Sequence, residues 1–238
     1  MNTVRHQVWL GCGLFAALAA QSLSSAQTLA AEKTGRIAGQ WSARASYLGQ
    51  GLHVFDGPIE LKVKRVQSPT GAYAAVFQDF DLFVEKGGRR LEGEREWAFS
   101  TLSEVLWAPD SKAFAITGSE GGWVGSWDVE VFYLREQTVR RANITSRVKR
   151  DAMRRYQCTD PGGNEEPNMG AIGWLDGSSR LLLAAEVPPH SSCPEMGKLM
   201  GYVVTVPTGQ ILERLSEGQL RRRWRASLGE RLRTNADD

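Results

Sequence analysis

Leu106-Trp107-Ala108-Pro109-Asp110-Ser111-Lys112-Ala113-Phe114-Ala115-Ile116 is an aromatic entry, a tight polar turn and an apolar run, and this pattern occurs three times in the chain. Val66-Gln67-Ser68-Pro69-Thr70-Gly71-Ala72-Tyr73-Ala74-Ala75-Val76 precedes it and Gly173-Trp174-Leu175-Asp176-Gly177-Ser178-Ser179-Arg180-Leu181-Leu182-Leu183 follows it. Pro sets a negative φ, Asp and Gly accept the tight bend, and the apolar run that follows suits a strand buried on both faces. Repetition of this kind fixes architecture before any residue is given a chemical role.

Each copy is followed by a hairpin signal. Phe80–Val84 leads through Gly87-Gly88 to Arg89–Leu91; Trp127–Leu134 leads through Glu136-Gln137 to Thr138–Arg141; Gly201–Val206 leads through Pro207-Thr208-Gly209 to Gln210–Arg214. Apolar and β-branched runs joined by short polar turns predict antiparallel pairs. Each unit is then an entry strand, a buried strand and a closing hairpin, four antiparallel strands in all. Leu52–Phe55 and Ile59–Val66, joined by Asp56-Gly57-Pro58, read as an entry hairpin that supplies the strand missing from the first unit.

The Trp107-Ala-Pro-Asp110 and Trp174-Leu-Asp-Gly177 turns, each with its strand and hairpin, resemble the Trp-Ser-Pro-Asp-Gly repeats of TolB-type β-propellers, over roughly residues 50–215. The first copy has Gln67-Ser68 in place of Trp-Ser, the second has Ser111 in place of Gly, and the third has lost its Pro. The resemblance implies a bacterial envelope protein that acts by binding other proteins. Three units are fewer than the four to eight blades of a closed propeller. The expected fold is therefore mostly β, an incomplete or open β-propeller-like array of about three antiparallel four-stranded units, with a helical insertion and a C-terminal amphipathic helix.

Domain organisation follows. Residues 1–26 carry Arg5, an apolar run from Val8 to Ala20, and Ser24-Ser25-Ala26, the pattern of a secretory signal peptide cleaved before Gln27, with an uncleaved anchor as the alternative. Residues 27–215 form the β-propeller-like domain. The turn motifs lie 40 residues apart between the first two copies and 67 apart between the last two, which places an insertion at 142–170. Within it, Thr145–Tyr156 reads as a basic helix capped by Thr145 or Ser146, with Val148, Ala152 and Tyr156 on one face. Residues 216–238 open with a Ser216-x-x-Gln219 capping box and continue as a basic helix whose Leu220, Trp224, Leu228 and Leu232 form an apolar stripe. Such a helix either docks on its own domain or lies on an anionic membrane.

The mature chain holds 28 Lys+Arg against 27 Asp+Glu, because Arg5 is the one charged residue removed with the leader. A balance this even excludes nucleic-acid binding through the overall field. Removal of Cys12 leaves Cys158 and Cys193, which an oxidising compartment would join as a disulfide worth about 4 kcal/mol.

Catalytic motifs are sparse. There is no Gly-x-Ser-x-Gly elbow, His-Glu-x-x-His, phosphate loop or Cys-x-x-Cys. The candidate binding residues are Trp123 and Trp127, set among glycines in Gly118–Trp127, together with His190, which lies near Glu186 and Glu195. Asp160, Asn164, Glu165 and Glu166 lack the spacing of a calcium loop, so no metal and no cofactor is expected. The leading expectation is an exported, non-enzymatic interaction protein, periplasmic or secreted, whose loops bind an envelope protein or a glycan. The alternatives are an envelope hydrolase using His190 and nearby carboxylates, and an envelope-surface protein held by peripheral membrane contact of its C-terminal helix.

Overall fold

The computed structural model describes residues 39–50, 63–78, 81–93, 102–119, 126–156, 166–189 and 193–234. All of them lie in one compact unit, Ile37–Asp238. The chain is mostly β, arranged as three separate sheets, none of them closed.

The first sheet has the order β2 (Lys64–Gln67), β3 (Tyr73–Gln78), β4 (Asp81–Lys86), β5 (Arg89–Arg90). The second runs β7 (Leu102–Trp107), β8 (Ala113–Ser119), β9 (Trp127–Arg135), β10 (Thr138–Ala142). The third runs β11 (Asn168–Leu175), β12 (Arg180–Glu186), β13 (Leu199–Thr205), β14 (Ile211–Ser216). Each is a sequential antiparallel meander, and the run after each turn motif is its second strand, as the repeat predicts. Two short strands lengthen the second sheet: β1 (Ser46–Gln50) pairs antiparallel with β7, and β6 (Glu92–Gly93) pairs parallel with β10. Leu52–Phe55 lies outside the described residues. The strand before it, β1, joins the second unit, while β2 alone supplies the entry strand of the first.

The sheets are layered, and the period-2 alternation of their central strands shows how. Phe114 and Ile116 of β8 pack with Val66, Ala75, Phe77 and Val84 of the first sheet. Ala115, on the opposite face, packs with Leu181, Leu183 and Ala185 of β12 in the third. The remaining face of β12, Leu182 and Ala184, packs against Trp41, Leu220, Leu228 and Leu232. Strands buried on both faces explain why these runs are almost uniformly apolar.

Equivalent residues make equivalent bonds. The Trp107 indole N–H donates to the Val66 carbonyl at 3.2 Å, and that of Trp174 donates to the Leu106 carbonyl at 2.9 Å. In each case the acceptor is the residue just before the matching position in the preceding unit. Among the described residues no preceding unit faces Gln67; it is exposed and its Nε2 donates to its own turn at the Gly71 carbonyl.

The turns also touch one another. The Ser111 hydroxyl accepts from the Thr70 N–H at 3.0 Å and from the Thr70 hydroxyl at 2.9 Å, and the Ser178 hydroxyl donates to Asp110 at 2.9 Å. Ser111 sits at φ 59°, a left-handed conformation costing about 1–2 kcal/mol outside glycine, and its two accepted bonds are the compensation. Asp176, which takes the place of Pro109, has φ 49°. A proline ring cannot adopt that value, so loss of Pro from the third copy goes with a differently bent turn.

Helix α1 (Thr145–Met153) fills the insertion, with Val148, Ala152 and the following Tyr156 buried as the spacing predicts. Its N-cap is Ile144, without a side-chain cap, rather than Thr145 or Ser146; the Ser146 hydroxyl instead bonds Asn143. The C-terminal capping box is present, both Ser216 and Gln219 bonding the other's backbone N–H. The single helix expected after it is broken into α2 (Glu217–Trp224), a 3₁₀ turn (Arg225–Ser227) and α3 (Glu230–Thr234). Leu228 between them is extended and bridges to Ser42. Leu220, Leu228 and Leu232 are all buried against the third sheet.

Candidate functional site

At the end of the array opposite the turn motifs, three strand termini meet over a buried polar group. Alternation along β12 sends Leu182, Ala184 and then Glu186 to the same face, so the strand ends on a carboxylate that is 1% exposed. An unpaired charge there would be costly, and two neighbours meet it. Arg231 of α3 donates through Nε at 3.2 Å and Nη2 at 2.5 Å, and Asn168 Nδ2 approaches at 3.3 Å. Asn168 Oδ1 in turn accepts the Trp127 backbone N–H at 3.0 Å. The guanidinium of Arg231 lies 5.3 Å from the Trp41 ring and 5.8 Å from the Trp127 ring, and the two indoles meet edge-on at 6.0 Å. Trp127, Asn168, Glu186 and Arg231 thus form a continuous strut from the start of β9, through the start of β11 and the end of β12, to α3.

A second buried carboxylate lies beside it. Glu104 of β7, 1% exposed, accepts from the backbone N–H of Trp41 at 3.2 Å and of Ser42 at 3.1 Å. Burial pushes its pKa up to about 7, against the opposing pull of backbone N–H groups from residues 40–42. The Ser42 hydroxyl donates to the Ile172 carbonyl at 2.8 Å, within a β-bulge of β11. The bulge frees a donor on the other side too, and Ala171 N–H reaches the Thr117 hydroxyl of the second sheet at 3.0 Å. Segment 39–45 is also clasped by the C-terminal region: Gly229 N–H donates to Trp41 O, Arg231 N–H to Gln40 O and Ala43 N–H to Ser227 O. Trp41 is completely buried, its ring lying on Gly170, where a Cβ would come within 2.0 Å of it.

Of the residues predicted from sequence, Trp127 is 6% exposed and belongs to this buried cluster rather than to an open surface. Trp123, His190 and Cys158 lie outside the described residues. Cys193 is half-buried, its sulfur 3.4 Å from the Glu195 N–H. Glu195 pairs with Lys198 at 3.3 Å, so both carboxylates near His190 in sequence have cationic partners. Among the described residues no group of three or more His, Cys, Asp or Glu is placed to hold a metal, and no helix is long and apolar enough to cross a membrane.

Glu104, Trp41 and Arg231 were not singled out by the sequence. The available signal was Glu104 standing inside the otherwise apolar Leu102–Trp107 run, and Glu186 closing Leu181–Ala185: a carboxylate next to a buried run needs a partner from elsewhere in the chain.

No family model, no curated protein and no solved structure matches this chain.

Proposed function

We propose that the chain is an exported, non-enzymatic binding protein: an open, three-unit, propeller-like array that presents its loops to an envelope protein or glycan. The repeated indole-to-carbonyl bond between successive sheets supports the propeller-like reading, because it repeats the same sheet-to-sheet contact from one unit to the next. The TolB resemblance of the repeats points the same way, at the level of fold.

The observation that carries the binding reading is the strut. The carboxylate closest in sequence to His190 is buried, bonded by Arg231 and Asn168, and used to join strand ends. A general acid or base has to reach a substrate, and Glu186 is spent on scaffolding. What the strut does fix is where the flanks of residues 120–125 and 190–192 sit, and those stretches carry Trp123 and His190.

Export after Ala26 and a Cys158–Cys193 disulfide belong to the same reading. The test is capture from the native envelope by the mature protein, with the eluate identified by mass spectrometry. Trp123→Ala should weaken capture of a specific partner, and His190→Ala should leave it nearly unchanged. A hydrolase activity lost in the His190 variant, with the fold intact, would overturn the binding reading in favour of the enzyme. Non-reducing peptide mapping should link Cys158 to Cys193, and two freely alkylated thiols would remove the disulfide.

A further inference from the structure

The chain's net charge is only +2, yet its cations are unevenly paired. On α1, Lys149 is held by Asp128 at 2.9 Å and Glu166 at 2.8 Å. Asp151, the one acid in the helix, accepts Arg214 through Nε at 2.9 Å and Nη2 at 2.8 Å, and Arg155 at 2.9 Å. These bonds, Arg214's foremost, hold its carboxyl well below the usual range. What remains is Arg147, Arg150 and Arg154, all exposed and without an ion pair among the described residues. They stand at i, i+3 and i+7, a single stripe about 10 Å long. Of the helix's apolar residues, Val148 and Ala152 are turned into the core and Met153 is half-buried.

We infer that this arginine stripe docks the protein on an anionic phospholipid surface. Three guanidiniums in line, with the local acid already neutralised, complement a row of phosphate headgroups, to which arginine bonds bidentately. With Val148 and Ala152 facing inward, the contact is electrostatic and sensitive to salt, without insertion. It also differs from the membrane contact expected of the C-terminal helix, whose apolar stripe is committed to the third sheet. The inference is independent of what the loops bind.

Sedimentation of the full chain with vesicles tests it. Vesicles of phosphatidylglycerol should bind more protein than vesicles of phosphatidylcholine, and high salt should remove the excess; any salt-insensitive binding through the apolar leader is common to both. Arg147→Gln/Arg150→Gln/Arg154→Gln should lower the excess by on the order of 100-fold, at about fivefold per arginine near such a surface. Replacing the same three with Lys should retain most of it. The matched variant Arg222→Gln/Arg225→Gln/Arg233→Gln, also exposed arginines, should keep it too. No excess on phosphatidylglycerol, or an excess untouched by the α1 variant, overturns the inference. Retention on a sulfated polysaccharide without vesicle binding overturns it in favour of a glycan.

Discussion

The first and third sheets share one strand order, yet their outward faces differ completely. The third sheet turns Ile172, Leu182, Ala184, Val203 and Leu215 outward and has them covered by Trp41, α2 and α3. The first sheet's outward face carries Arg65 and Gln67 of β2, the buried Ala74 and Val76 of β3, Phe83 and Glu85 of β4, and Arg90 of β5. Arg65 pairs with Glu85 across the sheet, and the Arg90 guanidinium lies 4.2 Å over the Phe83 ring. A layered array leaves an unmatched face at each end, and these are the two ways to finish one: cover it, or make it polar. With α2, α3 and segment 39–45 on the third sheet, a further unit has no bare face to stack on there.

The comparison can be broken most sharply at Trp41. Trp41→Ala should cost about 3–5 kcal/mol, read from urea unfolding, because it empties a fully buried site and releases the clasp. Gly170→Ala tests the same contact from the other side, and overpacking against the Trp41 ring should cost about 1–3 kcal/mol. A change under 0.5 kcal/mol in both, on the order of a surface substitution, would show that the third sheet does not need its cover.

Glu104 should give the covered end a pH signature. Its folded pKa of about 7 lies above the ordinary carboxyl value of 4.5, so the folded state binds the proton more tightly than the unfolded one. Its contribution to stability is fully present below the unfolded pKa and is lost as pH rises through 7, by at most about 3 kcal/mol. Glu104→Gln should flatten the stability profile between pH 5 and pH 8. A profile identical in wild type and Glu104→Gln would sink this assignment.

The repeat itself should show a gradient of effects that ends on the smallest. Trp107→Ala should cost about 3–5 kcal/mol; Trp174, half-buried, should cost less; Gln67→Ala should stay within about 0.5 kcal/mol. Arg65→Ala, which removes an exposed pair, should cost less than about 1 kcal/mol. Equal costs at Gln67 and Trp107 would erase the distinction between a terminal and an internal unit.

Much of this was legible in the chain. Three turn motifs, the buried runs after them and the hairpins after those predict three four-stranded meanders, because turn chemistry and hydrophobic alternation act within ten or so residues. The polarity of Gln67 even marks which unit comes first. The cover of the third sheet was less legible. Leu220, Trp224, Leu228 and Leu232 have helical spacing, and nothing local forbids one continuous helix. The break at Leu228 arises because Gly229 meets the segment at 39–40, where a Cβ would come within 2.4 Å of two backbone oxygens. The small residue was visible in the sequence; the segment it lies against, nearly two hundred residues away, was not.

The sequence alone therefore determined the repeated unit, the order of its strands and the helix in the insertion, since each depends on neighbours in the chain. Only the tertiary structure decided that β1 joins the second sheet, that Trp127 turns inward to Arg231, and that Glu104 and Glu186 tie the segment at 39–45 and α3 to the sheets. Those contacts join residues 45 to more than 100 positions apart. Their energy comes from groups with no local preference for one another, brought together only once the sheets have packed and water has left the space between them.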